Sequence, residues 1–153
     1  MSGNHEIGLT VDHVRETKPL VHCITNYVTV QDCANALLAV GASPVMADER
    51  AEVAEITKIA QGLLLNIGTL NKRIISSMRL AARTAKTKGI PIVLDPVGAG
   101  ASALRTGTAR ELIRIASPTL IRGNASEIAS IYCAGGFTRG VDAAEADAHP
   151  DAM

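Results

Sequence analysis

The chain has 153 residues, 47% of them hydrophobic, and its 15 basic and 15 acidic side chains leave no net charge. With no Trp, one Phe and two Tyr, it lacks the aromatic platforms and the basic stripe that nucleic-acid binding by stacking uses. Its three cysteines, Cys23, Cys33 and Cys133, have no CxxC spacing, which argues against a disulfide framework or a zinc site and for a reducing compartment.

Residues 1–10 are polar, and no apolar run approaches the ~18 residues that suggest a membrane span. The expectation is a cytoplasmic protein with neither nucleic-acid nor membrane partners. Along the chain, short apolar runs alternate with helical patterns. Ile7, Val11 and Val14 fall on one helix face, and Pro19 ends that helix. Residues 20–24 read as a strand. Residues 30–40 read as a helix with Ala34, Leu37 and Leu38 on one face and Gly41 as its stop. Residues 44–47 form a short strand, and Val53, Ile56 and Ala60 mark the next helix.

Residues 63–67 are a buried strand closed by Gly68 and Thr69. The longest helix is predicted over 71–88, with Ile74, Ile75, Met78, Ala82 and Ala85 inward, Arg79, Arg83 and Lys86 outward, and Gly89 at its end. The apolar run 90–94 then delivers Asp95. A helix follows near 109–116, a strand at 119–122 and a helix over 126–132. Strands apolar throughout predict a sheet covered on both faces. The regular βα alternation predicts a parallel sheet with right-handed crossovers. The fold class expected is α/β, a three-layer α/β/α arrangement in one domain over 1–153. Residues 135–153 carry no strand signal and are expected as an irregular tail. The pattern stops where another βα unit is expected, which reads as an interrupted domain.

The most informative stretch is Asp95-Pro96-Val97-Gly98-Ala99-Gly100-Ala101. An apolar strand ending in Asp and a small-residue loop brings a carboxylate to the edge where open α/β sheets bind ligands. About one unit later Arg122 and Glu127 reach what should be the same edge. Two carboxylates and an Arg there suit a metal–phosphate site: oxygen ligands for Mg²⁺ and a planar fork for phosphate. The plainer reading is that Asp95 caps its loop, Glu127 sits in a helix's first turn, and Arg122 pairs with either. Gly98-Ala99-Gly100 is weak evidence alone, and no GxxxxGK[ST] loop occurs. His22 and Cys23 fall on opposite faces of a strand, which disfavours a Cys–His nucleophile. Cys23, Cys33 and Cys133 read as structural, and His5, His13 and His149 as solvated. Met46 is either core or pocket wall.

Five blocks together resemble the hydroxyethylthiazole kinases, members of the ribokinase-like superfamily. They are residues 19–28 (PLVHCITNYV), 34–47 (ANALLAVGASPVMA), 65–70 (LNIGTL), 93–101 (VLDPVGAGA) and 121–128 (IRGNASEI). The resemblance runs in order from near Ile7 to about Ala148. It implies a ribokinase-like fold and transfer of the ATP γ-phosphoryl to the hydroxyl of 4-methyl-5-(2-hydroxyethyl)thiazole in thiamine salvage. By position it implies that Met46 and Asn26 contact the thiazole, with Gly68 near that pocket. Arg122 would contact ATP, and Asp95 and Glu127 would organise Mg²⁺. A homotrimer with interfacial sites is implied too. Family members are nearly twice this length, and the resemblance places the glycine-rich anion hole in their second half. No catalytic residue is therefore expected in this chain. The second reading is a module that binds thiazole or a partner without turnover.

Overall fold

The computed structural model describes residues 2–132. In chain order they form α1 (Ser2–Thr17), β1 (Leu20–Ile24), α2 (Val30–Val40), β2 (Ser43–Val45), α3 (Val53–Ile59), β3 (Gly62–Asn66), α4 (Lys72–Lys88), β4 (Ile92–Asp95), α5 (Ala103–Ala116), β5 (Leu120–Ile121) and α6 (Ala125–Tyr132). The strands make one sheet in the order β2-β1-β3-β4-β5, and every pair is parallel. The α/β class and the alternation expected from the sequence are both present. The expected tail at 135–153 lies outside the described residues.

Register assigns the faces. His22, Leu63 and Ile92 lie side by side, as do Ile24, Leu65 and Leu94. These six are buried, and with Met78, Ala82 and Leu112 they form the core under α3, α4 and α5. The intervening residues Cys23, Leu64, Val93 and Leu120 share the opposite face. There the thiol of Cys33 on α2 meets Cys23. Helices therefore lie on both sides of the sheet, in three layers.

Coverage is unequal among the described residues. Leu64 and Val93 are half-buried, and Leu120 is 55% exposed, where apolar strands predicted a fully covered sheet. The reason is strand order. Only the β1-to-β2 crossover runs leftward, so with right-handed crossovers only α2 among the connecting helices packs on that face.

Other boundaries move for local reasons. Helix α5 begins six residues before the predicted start. Ser102 caps it by accepting the Arg105 N–H at 3.2 Å, and Gly107, just after the first turn, breaks the helical pattern in the sequence. Strand β2 stops at Val45, ahead of the predicted Ala47, whose carbonyl accepts a bond from the His22 ring at 2.7 Å. Strand β5 is only two residues long. Leu38, expected inward, is 59% exposed, and α2 buries no residue. Ile7 is likewise 65% exposed. Arg79, expected outward, is half-buried and pairs with Glu111 at 2.5 Å. Helix α4 otherwise matches its prediction: Asn71 caps it, its five inward residues are buried, and Gly89 closes it in the left-handed region.

Candidate active site

Strands β3 and β4 end in polar residues, Asn66 and Asp95, at the same sheet edge. Asn66 lies beside Asp95 in register, and the Arg122 N–H donates to the Leu94 carbonyl at 3.0 Å, which sets Arg122 next to them. Asn26 follows β1 and is buried with Asn66 and Asp95. An apolar strand can end this way because its last residue leaves the sheet's interior while its backbone stays paired.

Asp95 accepts from the Asn66 amide at 2.9 Å and from the Arg122 guanidinium at 3.0 Å. Both bonds land on Oδ2, which leaves Oδ1 for a ligand. Burial pushes the Asp95 carboxyl above its ordinary range, and Arg122 opposes that shift. The Arg122 side chain is 75% exposed, so it reaches outward with donors to spare. Glu127 is held more tightly. Its Oε1 accepts the Gly98 N–H at 2.7 Å, and its Oε2 accepts the Asn124 N–H at 3.0 Å. Asn124 Oδ1 in turn accepts the Glu127 N–H at 2.8 Å, a reciprocal cap on α6. Gly98 needs its freedom here: its φ is 71°, and a Cβ would come within 3.1 Å of Arg105.

Asp95, Val97, Arg122, Asn124 and Glu127 line a polar cavity of about 390 Å³. The predicted metal and phosphate residues are thus brought together. The plainer reading of Glu127 and Arg122 also holds: one caps a helix and the other pairs with Asp95. No group of three His, Cys, Asp or Glu side chains suited to a metal occurs among the described residues. Two carboxylates still fit Mg²⁺, which keeps several of its waters and takes few direct protein ligands.

A second cavity of about 250 Å³ opens at the end of β1, lined by Ile24, Thr25, Tyr27, Val30, Met46 and others. Met46 is therefore pocket wall rather than core. Asn26 and Gly68, expected at that pocket, are not among the residues that line it. Asn26 Oδ1 accepts from the N–H groups of Val28 and Thr29, each at 3.0 Å, and from the Thr29 hydroxyl at 3.2 Å. It thereby folds the loop that enters α2. Gly68 packs so closely that a Cβ would sit 2.8 Å from Asn26 Cβ.

Three features escaped the sequence reading. Asn66 bonds the side chains of both Asn26 and Asp95, at 3.0 and 2.9 Å. Arg105 donates to the carbonyls of Ile67 (3.1 Å), Gly68 (2.8 Å) and Val97 (2.7 Å), tying the loops after β3 and β4. Arg73 pairs with Asp48 at 2.9 Å and with the Tyr27 hydroxyl at 3.3 Å, bracing the Met46 loop. For Asn66 a signal existed, since it ends an apolar strand as Asp95 does. For Arg105 and Arg73 there was none, because their partners are 25 to 46 residues away or lie in backbone carbonyls. Burial pushes the Cys23 thiol up to about 12, which disfavours its thiolate.

The profile of the hydroxyethylthiazole kinase family matches residues 11–153. A hydroxyethylthiazole kinase of Ruminiclostridium cellulolyticum is 54% identical over 93% of this chain and 52% of its own length. That of Clostridium acetobutylicum is 56% identical over 87% of this chain and 49% of its own. The structure of the hydroxyethylthiazole kinase from Pyrococcus horikoshii superposes with a TM-score of 0.80 at 44% identity, over 83% of this chain and 50% of that one. The chain spans about half the length of the relatives it matches. The ribokinase-like fold expected from the sequence agrees with this likeness.

Proposed function

The chain belongs to the hydroxyethylthiazole kinase family, and from that premise we propose that it serves ATP-dependent phosphorylation of 4-methyl-5-(2-hydroxyethyl)thiazole in thiamine salvage. On this reading the chain is the N-terminal half of a ribokinase-like kinase domain. The observation that carries it is the pairing of two cavities on one sheet edge. One is walled by Met46 and Ile24; the other is polar and lined by Asp95, Arg122 and Glu127.

In the reaction, the acceptor oxygen bonds the γ-phosphorus, the bond to the β-phosphate breaks, ADP leaves, and the hydroxyl proton passes to solvent. Positioning and charge compensation do most of the work in such transfers. Met46 would contact the thiazole ring. Asn26 and Gly68 would shape its pocket, Asn26 through the loop it folds. The exposed guanidinium of Arg122 would hold ATP phosphates. Asp95, through Oδ1, and Glu127 would hold Mg²⁺ directly or through water, and Mg²⁺ supplies compensation for phosphate charge. No residue of this chain is assigned to the chemical step itself.

Val28, next to the cavity-lining Tyr27, is exposed, as are Leu38 and Val40 at the far end of α2; this apolar exposure supports a homo-oligomer, a trimer by family. Cys23 and Cys33 are free thiols, which supports a cytoplasmic location. No helix among the described residues is long and apolar enough to cross a membrane. A second reading is a module that binds thiazole or a partner without turnover, which the cavity at Met46 would serve. The test is incubation with Mg-ATP and hydroxyethylthiazole, read by mass spectrometry. Phosphorylated thiazole above the no-protein control establishes the kinase. Thiazole binding without product establishes the module.

A further inference from the structure

The Asn66 side chain touches the supports of both cavities. Its Oδ1 accepts from Asn26 Nδ2 at 3.0 Å and from the Gly68 N–H at 2.9 Å; its Nδ2 donates to Asp95 Oδ2 at 2.9 Å. Only one amide orientation allows this, since Asp95 and Asn26 offer it an acceptor and a donor respectively. Asn66 is 9% exposed, so water cannot readily replace a lost partner. On one side, Asn26 folds residues 28 and 29, next to the cavity-lining Tyr27 and Val30. On the other, Asp95 lines the polar cavity. Arg105 straps the same two strand-end loops together through Gly68 and Val97. The loops after β1, β3 and β4 are therefore cross-linked by side chains.

We propose that Asn66 is a positioning residue that couples the two cavities, so that filling the thiazole pocket tightens binding of the magnesium nucleotide, and the reverse. This rests on the kinase reading above and adds the linkage between its two substrates. A ligand that orders one loop has already met part of the cost of ordering the next, which gives positive coupling without any large movement. Coupling of this kind is reciprocal.

Titration calorimetry on the full chain tests it, with Mg²⁺ and a non-hydrolysable ATP analogue, with and without saturating hydroxyethylthiazole. The wild type is expected to bind nucleotide about 5-fold or more tighter when thiazole is present. In Asn66→Ala that ratio falls to near one while nucleotide still binds. Asn66→Ser, too short to span both partners, gives the same result and stands in if the Ala variant fails to fold. Leu112→Ala, in the core away from the edge, lowers the melting temperature and leaves the ratio unchanged. The proposal is overturned if both ligands bind the wild type independently, or if the Asn66 variants keep its ratio. If neither ligand binds the wild type, the kinase reading fails and this inference fails with it.

Discussion

Asn124 and Glu127 cap each other: each donates its backbone N–H to the other's side chain, at 2.8 and 3.0 Å. The oxygen of Glu127 that remains accepts the Gly98 N–H at 2.7 Å. A single carboxylate thus starts helix α6 and fastens the loop after β4, while lining the polar cavity. Its structural and proposed metal-binding roles can be separated by substitution.

Glu127→Ala removes the cap and leaves the Gly98 N–H unpaired, with an expected cost of about 1–3 kcal/mol in urea unfolding. Glu127→Gln keeps an acceptor oxygen and is expected to cost less than half of that. Both variants lose Mg²⁺-dependent nucleotide binding, as seen by calorimetry. A Gln variant with wild-type magnesium dependence would assign Glu127 to architecture alone.

Asp95→Asn keeps the shape and the Asn66 and Arg122 neighbours but removes the charge. Turnover is expected to fall at least about 100-fold, in line with loss of one preorganised electrostatic contact. Thiazole affinity should stay within about 3-fold, an effect below 1 kcal/mol. Steady-state kinetics and direct thiazole titration check this. Parallel loss of both quantities would instead make Asp95 a folding residue.

Gly98→Ala places a Cβ 3.1 Å from Arg105 at a φ of 71°. The left-handed penalty is about 1–2 kcal/mol, and the Arg105 strap must shift as well. Gly68→Ala meets Asn26 Cβ at 2.8 Å without any φ penalty, so its effect should fall mainly on thiazole affinity. Thermal melts and thiazole titrations of the two variants should differ in that sense.

His22 is fully buried, with its ring between the Thr57 hydroxyl (2.8 Å) and the Ala47 carbonyl (2.7 Å). The carbonyl can only accept, so Nε2 carries the proton and Nδ1 faces Thr57. Burial holds the ring's pKa below its ordinary 6.5. The unfolded chain therefore binds this proton first, and stability present above pH 6.5 is lost as the pH falls toward the folded value. Asp48 adds a second limb lower down. Its hydrogen bond from Arg73 depresses its pKa, so its contribution is present above the unfolded 3.8 and fades as pH falls below it. Calorimetric melts between pH 8 and 5 should show the His22 limb, and His22→Gln should flatten it. An unchanged limb in that variant would place the proton elsewhere.

Leu65→Ala and Met78→Ala empty fully buried positions at the centre of the core. Each is expected to cost about 2–5 kcal/mol in denaturant unfolding. Leu120→Ala, at a 55% exposed position, should cost less than about 1 kcal/mol.

What the sequence by itself determined was the order and type of the elements and the residues at the strand ends. Hydrophobic period and Gly or Pro stops are local properties, so α4, β3 and β4 were legible almost to their ends. Asp95, Arg122 and Glu127 were legible because a polar residue after an apolar strand stands out. Tertiary structure alone decided which partners those residues take. The bonds of Asn66 to Asn26 and Asp95 span 40 and 29 positions, and those of Arg105 run to carbonyls that no residue type advertises. It also decided that α2 is left exposed, because burial depends on which face a crossover reaches and on what packs there. A local pattern shows that a helix has an apolar side; only the assembled sheet shows whether anything covers it.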